Sequence, residues 1–276
     1  MTRSSPGSVR NRSGGLRAAV ILTGAVMLVA GISLTIAGPA LYRAGVLDLA
    51  VAREGLQQIA MFTLLAAAGA GTLAFLLAMA GRAHRAGILA VLLIIPGGMA
   101  GGSLYSQQVS FRALPPINDA QTDWTQPVAF TEATLRARAA AGAVRVRDDA
   151  VVAEGNGRWS GMTFAAAQAE VYRDIVPLLT EKPVADVVAV AAAAARRLGF
   201  RVTQSDPRAG VVEAVHDTGW YGLVYDVAVR VRREDRGARV DVRSTSRLAG
   251  HDLGENAALI KQLTDEIALQ LQLSAS

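Results

Sequence analysis

The chain contains no cysteine. That single absence removes disulfides, thiolate metal sites and a cysteine nucleophile. Histidine is scarce as well: His84, His216 and His251 are far apart, which argues against a histidine-based metal centre. Aromatic residues make up only 5% of the chain, and no basic stripe is interleaved with them, so nucleic acid is not an expected partner. Catalytic signatures are also missing. Residues 111–276 hold no G-x-S-x-G elbow, H-E-x-x-H pair, phosphate-binding Walker loop or G-x-G-x-x-G turn. No cofactor is expected, and a catalytic function is not favoured.

What is present is hydrophobic length. Apolar runs extend from about Ala18 to Leu41, Ile59 to Ala80 and Gly87 to Leu104, and nothing comparable follows. Each is long enough for the roughly 30 Å hydrocarbon core of a bilayer. The expected organisation is a cytoplasmic tail over 1–17, three transmembrane helices over 18–105 and an extracytoplasmic domain over 106–276. An alternative treats the first run as a cleaved signal peptide with Ala37-Gly38-Pro39-Ala40 as its processing site. None of the three runs contains Asp, Glu, Lys or Arg, which favours an anchor over a pump or proton-coupled carrier. Gly24, Gly31 and Gly38 share a face of the first run. The third holds two overlapping G-x-x-x-G spacings between Gly97 and Gly102, beside the potential kink at Pro96. Small residues let helices approach closely, so a compact bundle or an oligomer is expected. The partners implied are the lipid bilayer and either another membrane protein or a second copy of the chain.

The charge balance resolves into two parts. The formal net charge of +5 combines a +6 balance over 1–110, eight Arg against Asp48 and Glu54, with −1 over 111–276. A pI near 10.1 is therefore no footprint of an acidic partner. Arg3, Arg10, Arg12 and Arg17 precede the first run, and Arg82 and Arg85 fill the second loop. Because positive loops stay inside, the expected location is a bacterial inner membrane with a cytoplasmic N-terminus and a periplasmic C-terminal domain.

The C-terminal part reads as an α+β domain: an antiparallel sheet of about four strands with helices packed on one face. A helix is expected over 164–179, stopping near Pro177. A second begins at Pro183, buries Val184, Val187, Val188, Ala191, Ala195 and Leu198, and ends at Gly199. Strands are expected over 200–204, 211–215, 225–233 and 239–247. A last helix, 254–271, places Ile260, Leu263, Ile267 and Leu271 on one face. The segment 106–161 is weakly patterned.

The polar face of the last hairpin is the candidate site. A turn centred on Arg236-Gly237 would set Asp226 opposite Arg247, Arg232 opposite Asp241, Glu234 opposite Arg239, and Arg230 opposite Arg243. Two readings stand side by side. One is a solvated charge ladder on an open sheet face. The other is an anion-binding face on which Arg230 and Arg243 clamp a carboxylate or phosphate, with Asp226, Asp241 and Arg247 as neighbours. Asp252-Leu253-Gly254-Glu255 fits a capping box, leaving Asn256 in the first helical turn. Asp119 and Asp123 suit a stabilised turn better than a cation site. Trp159 and Trp220-Tyr221 fit core packing or membrane-proximal anchoring.

These residues carry a resemblance. Arg239-Val-Asp-Val-Arg-Ser-Thr-Ser-Arg247, followed by Asp252-Leu-Gly-Glu-Asn256, resembles a bacterial and plastid family catalogued as domain of unknown function fourteen ninety-nine. Pro116-Ile117-Asn118-Asp119, Thr122-Asp123, Asp206-Pro207 and Asp226-Val227-Ala228-Val229-Arg230 match it too, so the resemblance covers most of 112–270. It implies a soluble unit often preceded by membrane segments, and it implies no activity. At Trp220-Tyr221-Gly222-Leu223-Val224-Tyr225-Asp226 the chain departs from the family, keeping one acid where two are usual. The expected function is binding of a partner, lipid or small anionic ligand. The alternatives are a structural subunit of a membrane complex or a carboxylate-dependent envelope hydrolase.

Overall fold

The structure is a computed structural model that describes residues 6–273, with side chains from Ser13 onward, so part of the expected 1–17 tail lies outside it. The chain divides into two units, Met1–Ser110 and Phe111–Ser276.

In the first unit, α1 spans Pro6–Arg43, α2 Leu56–Ala80 and α3 His84–Ala113, with a π-helical turn, Val51–Gly55, leading into α2. All three are long and apolar enough to cross a membrane. The buried residues of α2 recur every three or four positions: Ala60, Leu64, Ala67, Gly71, Ala74 and Ala78. Small residues on this stripe bring backbones together. A Cβ on Gly31 of α1 would lie 2.6 Å from the Leu64 side chain, and one on Gly97 of α3 would lie 2.8 Å from the Leu64 carbonyl oxygen. Gly98 and Gly102 face outward, with nothing within 4 Å. Hydroxyls in the spans are satisfied locally, as where Thr35 donates to the Gly31 carbonyl at 2.9 Å and Thr72 to that of Ala68 at 3.0 Å.

The second unit is built on an antiparallel sheet of six strands: β1 Asp119–Gln121, β2 Leu178–Thr180, β3 Arg201–Asp206, β4 Val211–Asp217, β5 Val224–Glu234 and β6 Gly237–Ser246. Their order is β1-β6-β5-β4-β3, and β2 also pairs with β6. The two short strands thus share the outer edge of β6, and Thr122 bridges the gap between them by exchanging bonds with Val242. The class is the expected one, with two strands more than the sequence pattern showed. Both extra strands are three residues long, too short to display alternation.

Helices α6 (Val184–Arg197) and α7 (Glu255–Leu273) cover the valine face. Val187, Val188 and Ala191 of α6, and Ile260, Leu263 and Ile267 of α7, are completely buried over Val227, Val229, Val240 and Val242. Each buried valine, leucine or isoleucine among them contributes about 1.5–3 kcal/mol by leaving water. Gly199 ends α6: its N–H donates to the Arg196 carbonyl, and that of Phe200 reaches Ala195. This pairing caps the last turn with the left-handed residue that glycine supplies. The helix expected over 164–179 is shorter than its pattern suggested. It is α5, Phe164–Val171, capped by Thr163, and the chain leaves it well before Pro177 to bury Ile175 and form β2.

Two expectations about the hairpin are overturned. Its turn is Asp235-Arg236, not Arg236-Gly237, so Glu234 pairs with Gly237 and the register differs by two residues. Gly237 has φ +125°, and a Cβ there would collide with the Thr180 carbonyl and the Glu181 backbone. The glycine is needed for the close approach of β2, not for the turn tip. A two-residue slip leaves every side chain on its original face. Nor is the polar face open to water. The segment 119–148, including α4 (Glu132–Ala140), covers it, and Asp226, Asp241 and Arg243 are buried.

Candidate functional site

The polar face carries Glu213 from β4, Asp226, Ala228, Arg230 and Arg232 from β5, Arg239, Asp241, Arg243 and Thr245 from β6, and Asp119 and Gln121 from β1. Carboxylates placed under a cover need partners, because an unpaired buried charge is costly. Three guanidinium–carboxylate groupings supply them.

At the first, Arg243 grips Asp119 side-on: Nε donates to Oδ1 at 3.0 Å and Nη2 to Oδ2 at 2.6 Å. Its Nη1 donates to Asp148 at 2.7 Å and to the Val128 carbonyl at 3.0 Å. All three guanidinium nitrogens are therefore engaged by the chain itself, beneath the Trp124 ring at 5.9 Å. Burial disfavours the charge on Arg243, but the bonds and charges of Asp119 and Asp148 outweigh it and hold the guanidinium above its ordinary pKa. At the second, Asp226 accepts from Arg138 of α4 at 2.5 Å and from Arg247 at 2.9 and 2.7 Å. Arg138 spends its other nitrogen on the Val144 and Ser246 carbonyls. Burial lowers its pKa despite Asp226, as expected for a cation drawn into the interior.

The third is different in kind. Asp241, fully enclosed, accepts from three arginines: Arg230 at 3.1 Å, Arg232 at 3.0 Å and Arg239 at 3.0 Å. Their side chains remain 22%, 33% and 24% exposed. Arg239 also pairs with Asp123 at 2.6 Å, and Arg230 donates to the Gln126 and Pro127 carbonyls. Arg232 bonds the Gln126 side chain through Nη1, while its Nε is buried and has no partner. Burial opposes the charge of Asp123, yet bonds from Thr125 and Gln126 and the Arg239 charge hold its carboxyl below the usual range. Three arginines thus face Asp241 and Asp123 at this rim, and the Glu234 charge also acts on Arg239.

Residues 119–267 match the family described as Protein of unknown function (DUF1499), more than half of the chain. The chain belongs to that family. The matched region opens on Asp119, the first buried carboxylate, and closes on α7, so all three groupings lie in the DUF1499 unit. No curated protein and no solved structure gives a significant match.

The site residues inferred from sequence are thus all on one face of the DUF1499 unit, but in different company. Arg230 stands opposite Asp241 and Arg243 opposite Ala228, so the expected Arg230–Arg243 juxtaposition does not form. Asp226–Arg247 and Arg232–Asp241 do form ion pairs, as diagonal neighbours. Asp252 caps α7 by accepting from the Asn256 and Gly254 N–H groups. Its own N–H goes to the Ile117 carbonyl, not to Glu255 as a capping box requires. Asn256 faces the sheet, accepting from Ser244 at 2.7 Å.

Several partners were not anticipated: Arg138, Asp148, Gln121, Gln168 and Glu213. Glu213 accepts from the Thr131 N–H and from both the Thr131 and Thr134 hydroxyls, fixing the start of α4. An acid inside the apolar run Val211-Val212-Glu213-Ala214-Val215 was the readable sign of a buried acceptor. Arg138 had no comparable signal, since Arg136 two residues earlier is exposed. Among the described residues no group of three or more His, Asp or Glu is arranged to hold a metal.

Proposed function

We propose that the protein is an inner-membrane protein whose DUF1499 unit lies on the extracytoplasmic side and binds an anionic group, a carboxylate or phosphate, without catalysis. The observation that carries this reading is the convergence of Arg230, Arg232 and Arg239 on the single carboxylate of Asp241 at a partly exposed rim. Partly exposed guanidinium groups are suited to such ligands. The anion is assigned to this rim and not to Arg243, which is buried. The sidedness is supported by the +6 balance of residues 1–110 and the Arg82 and Arg85 loop. A hydrolase reading loses support because Asp119, Asp226 and Asp241 are each neutralised by arginine.

Calorimetric titration of the full chain in detergent with inorganic phosphate, pyrophosphate and citrate tests the proposal. Saturable, salt-sensitive binding that Arg232→Gln weakens tenfold or more is expected. No binding at millimolar concentration, or equal binding by the variant, contradicts it. A second reading, a subunit docked through its membrane helices, is favoured by the outward face of Gly98 and Gly102. It is tested by crosslinking from Met99, which is 72% exposed between them.

A further inference from the structure

The two ends of the DUF1499 sheet differ in chemistry. At the end where β5 starts and β6 finishes, the exposed loop residues are Gly219, Trp220, Gly222, Leu248, Ala249 and Gly250, flanked by the exposed Arg201 and Asp217 at the neighbouring strand ends. Trp220 is 52% exposed and Leu248 38%. At the opposite end the turns are Asp206-Pro207-Arg208-Ala209-Gly210 and Glu234-Asp235-Arg236-Gly237, with Arg208, Glu234, Asp235 and Arg236 in water. An exposed tryptophan and an exposed leucine on loops at one end of a domain fit the pattern found at bilayer–water interfaces.

The chain arrives at the end that carries Trp220 and Leu248. The loop Arg247–Asp252 is tied to the arriving segment by three bonds: Asn118 Nδ2 to the Leu248 carbonyl at 3.0 Å, the Asp252 N–H to the Ile117 carbonyl at 3.1 Å, and His251 to the Phe111 carbonyl at 3.1 Å. His251 Nδ1 accepts from the Leu253 N–H, so Nε2 carries the proton and donates to Phe111. Phe111 lies seven residues beyond Leu104, the end of the third apolar run, or roughly 10 Å along a helix. That places Phe111 just beyond a headgroup layer roughly 5–7 Å deep on each side. Beside the arrival point, Arg112 is exposed and the Arg158 guanidinium stacks on Trp159 at 4.0 Å, a pair of cations of the kind that lipid phosphates attract.

We infer that this end of the DUF1499 unit rests on the bilayer, with Trp220 and Leu248 seated in the interface and the Asp241 rim held away from it. The inference rests on the three apolar helices crossing that bilayer, and it is independent of anion binding.

The absence of native cysteine makes the test direct. The full chain, reconstituted in phosphatidylcholine–phosphatidylglycerol vesicles, is nitroxide-labelled at Leu248→Cys, Arg236→Cys or Met99→Cys. Collision with oxygen is compared with collision with a water-soluble nickel chelate. The Leu248 label should show a several-fold higher oxygen preference than the Arg236 label, approaching that at Met99. Adding Trp220→Ser should move the Leu248 label toward water. Equal accessibility at Leu248 and Arg236, with Met99 lipid-exposed, overturns the inference and leaves the spans intact. A water-exposed Met99 label removes the spans and the inference together. A Leu248 label unmoved by Trp220→Ser overturns the seat assigned to Trp220.

Discussion

Replacing Arg243 by methionine separates a structural role from a binding role. The substitution keeps the apolar stem but removes the group that grips Asp119, whose side chain is only 5% exposed. Removing one partner of a buried pair costs about 3–5 kcal/mol, because the other charge stays desolvated. For a unit of this size that lowers Tm by roughly 6–20 °C. Trp124, whose ring lies 5.9 Å from the guanidinium, reports unfolding by fluorescence in detergent. Burial already pushes the Asp119 carboxyl upward, and without Arg243 little opposes it. A raised folded pKa leaves stability intact at low pH and loses it as pH rises through that value. The deficit should therefore be smaller near pH 5 than near pH 8. Adding Asp119→Leu should recover most of the loss, since apolar replacement of a whole buried pair is close to neutral. A Tm within 2 °C of wild type for Arg243→Met alone, or no recovery in the double variant, would refute the reasoning.

Other consequences are open to measurement. Gly97→Ala should destabilise the membrane bundle by about 1–3 kcal/mol, because its methyl meets the Leu64 carbonyl, while Gly98→Ala should be neutral. Thermal aggregation in detergent compares them, and equal behaviour would contradict the packing. Burial depresses the His216 pKa, so the unfolded chain binds that proton more readily. Stability should fall as pH drops below about 6.5, and His216→Phe, which keeps the stacking on Phe200, should flatten the trend in urea midpoints. Asn256→Ala leaves Ser244 and Asp252 short of a partner and should cost about 1–3 kcal/mol in the same assay.

The elements legible in the sequence were those long enough to show a period. The three spans, α6, α7 and the four longer strands follow directly from hydrophobic spacing, and Gly199 ends α6 where a left-handed residue was expected. The cover was not legible. Between Ser106 and Gly161 the chain is shaped by hydrogen bonds to residues about 40 to 120 positions away: Gln121 to Gln168, Thr131 to Glu213, Arg138 to Asp226 and Arg243 to Asp119. Long-range polar contacts leave no local periodicity. The charged hairpin face was identified, but its burial could not be read, because alternation looks the same whether a face meets water or a polar cover. The register differs from the expected one because Gly237 is required by the close approach of the β2 backbone and not by the turn tip, which the spacing alone does not reveal.

On the proposed function, the arginines of this face divide into an interior set that holds the cover and a rim set that binds the anion. Pyrophosphate titration of two variants tests it most directly, each with its Tm measured alongside. Arg232→Gln should keep its Tm and lose binding, and Arg243→Met/Asp119→Leu should keep binding. Binding that survives Arg232→Gln and disappears in the folded double variant would contradict the division.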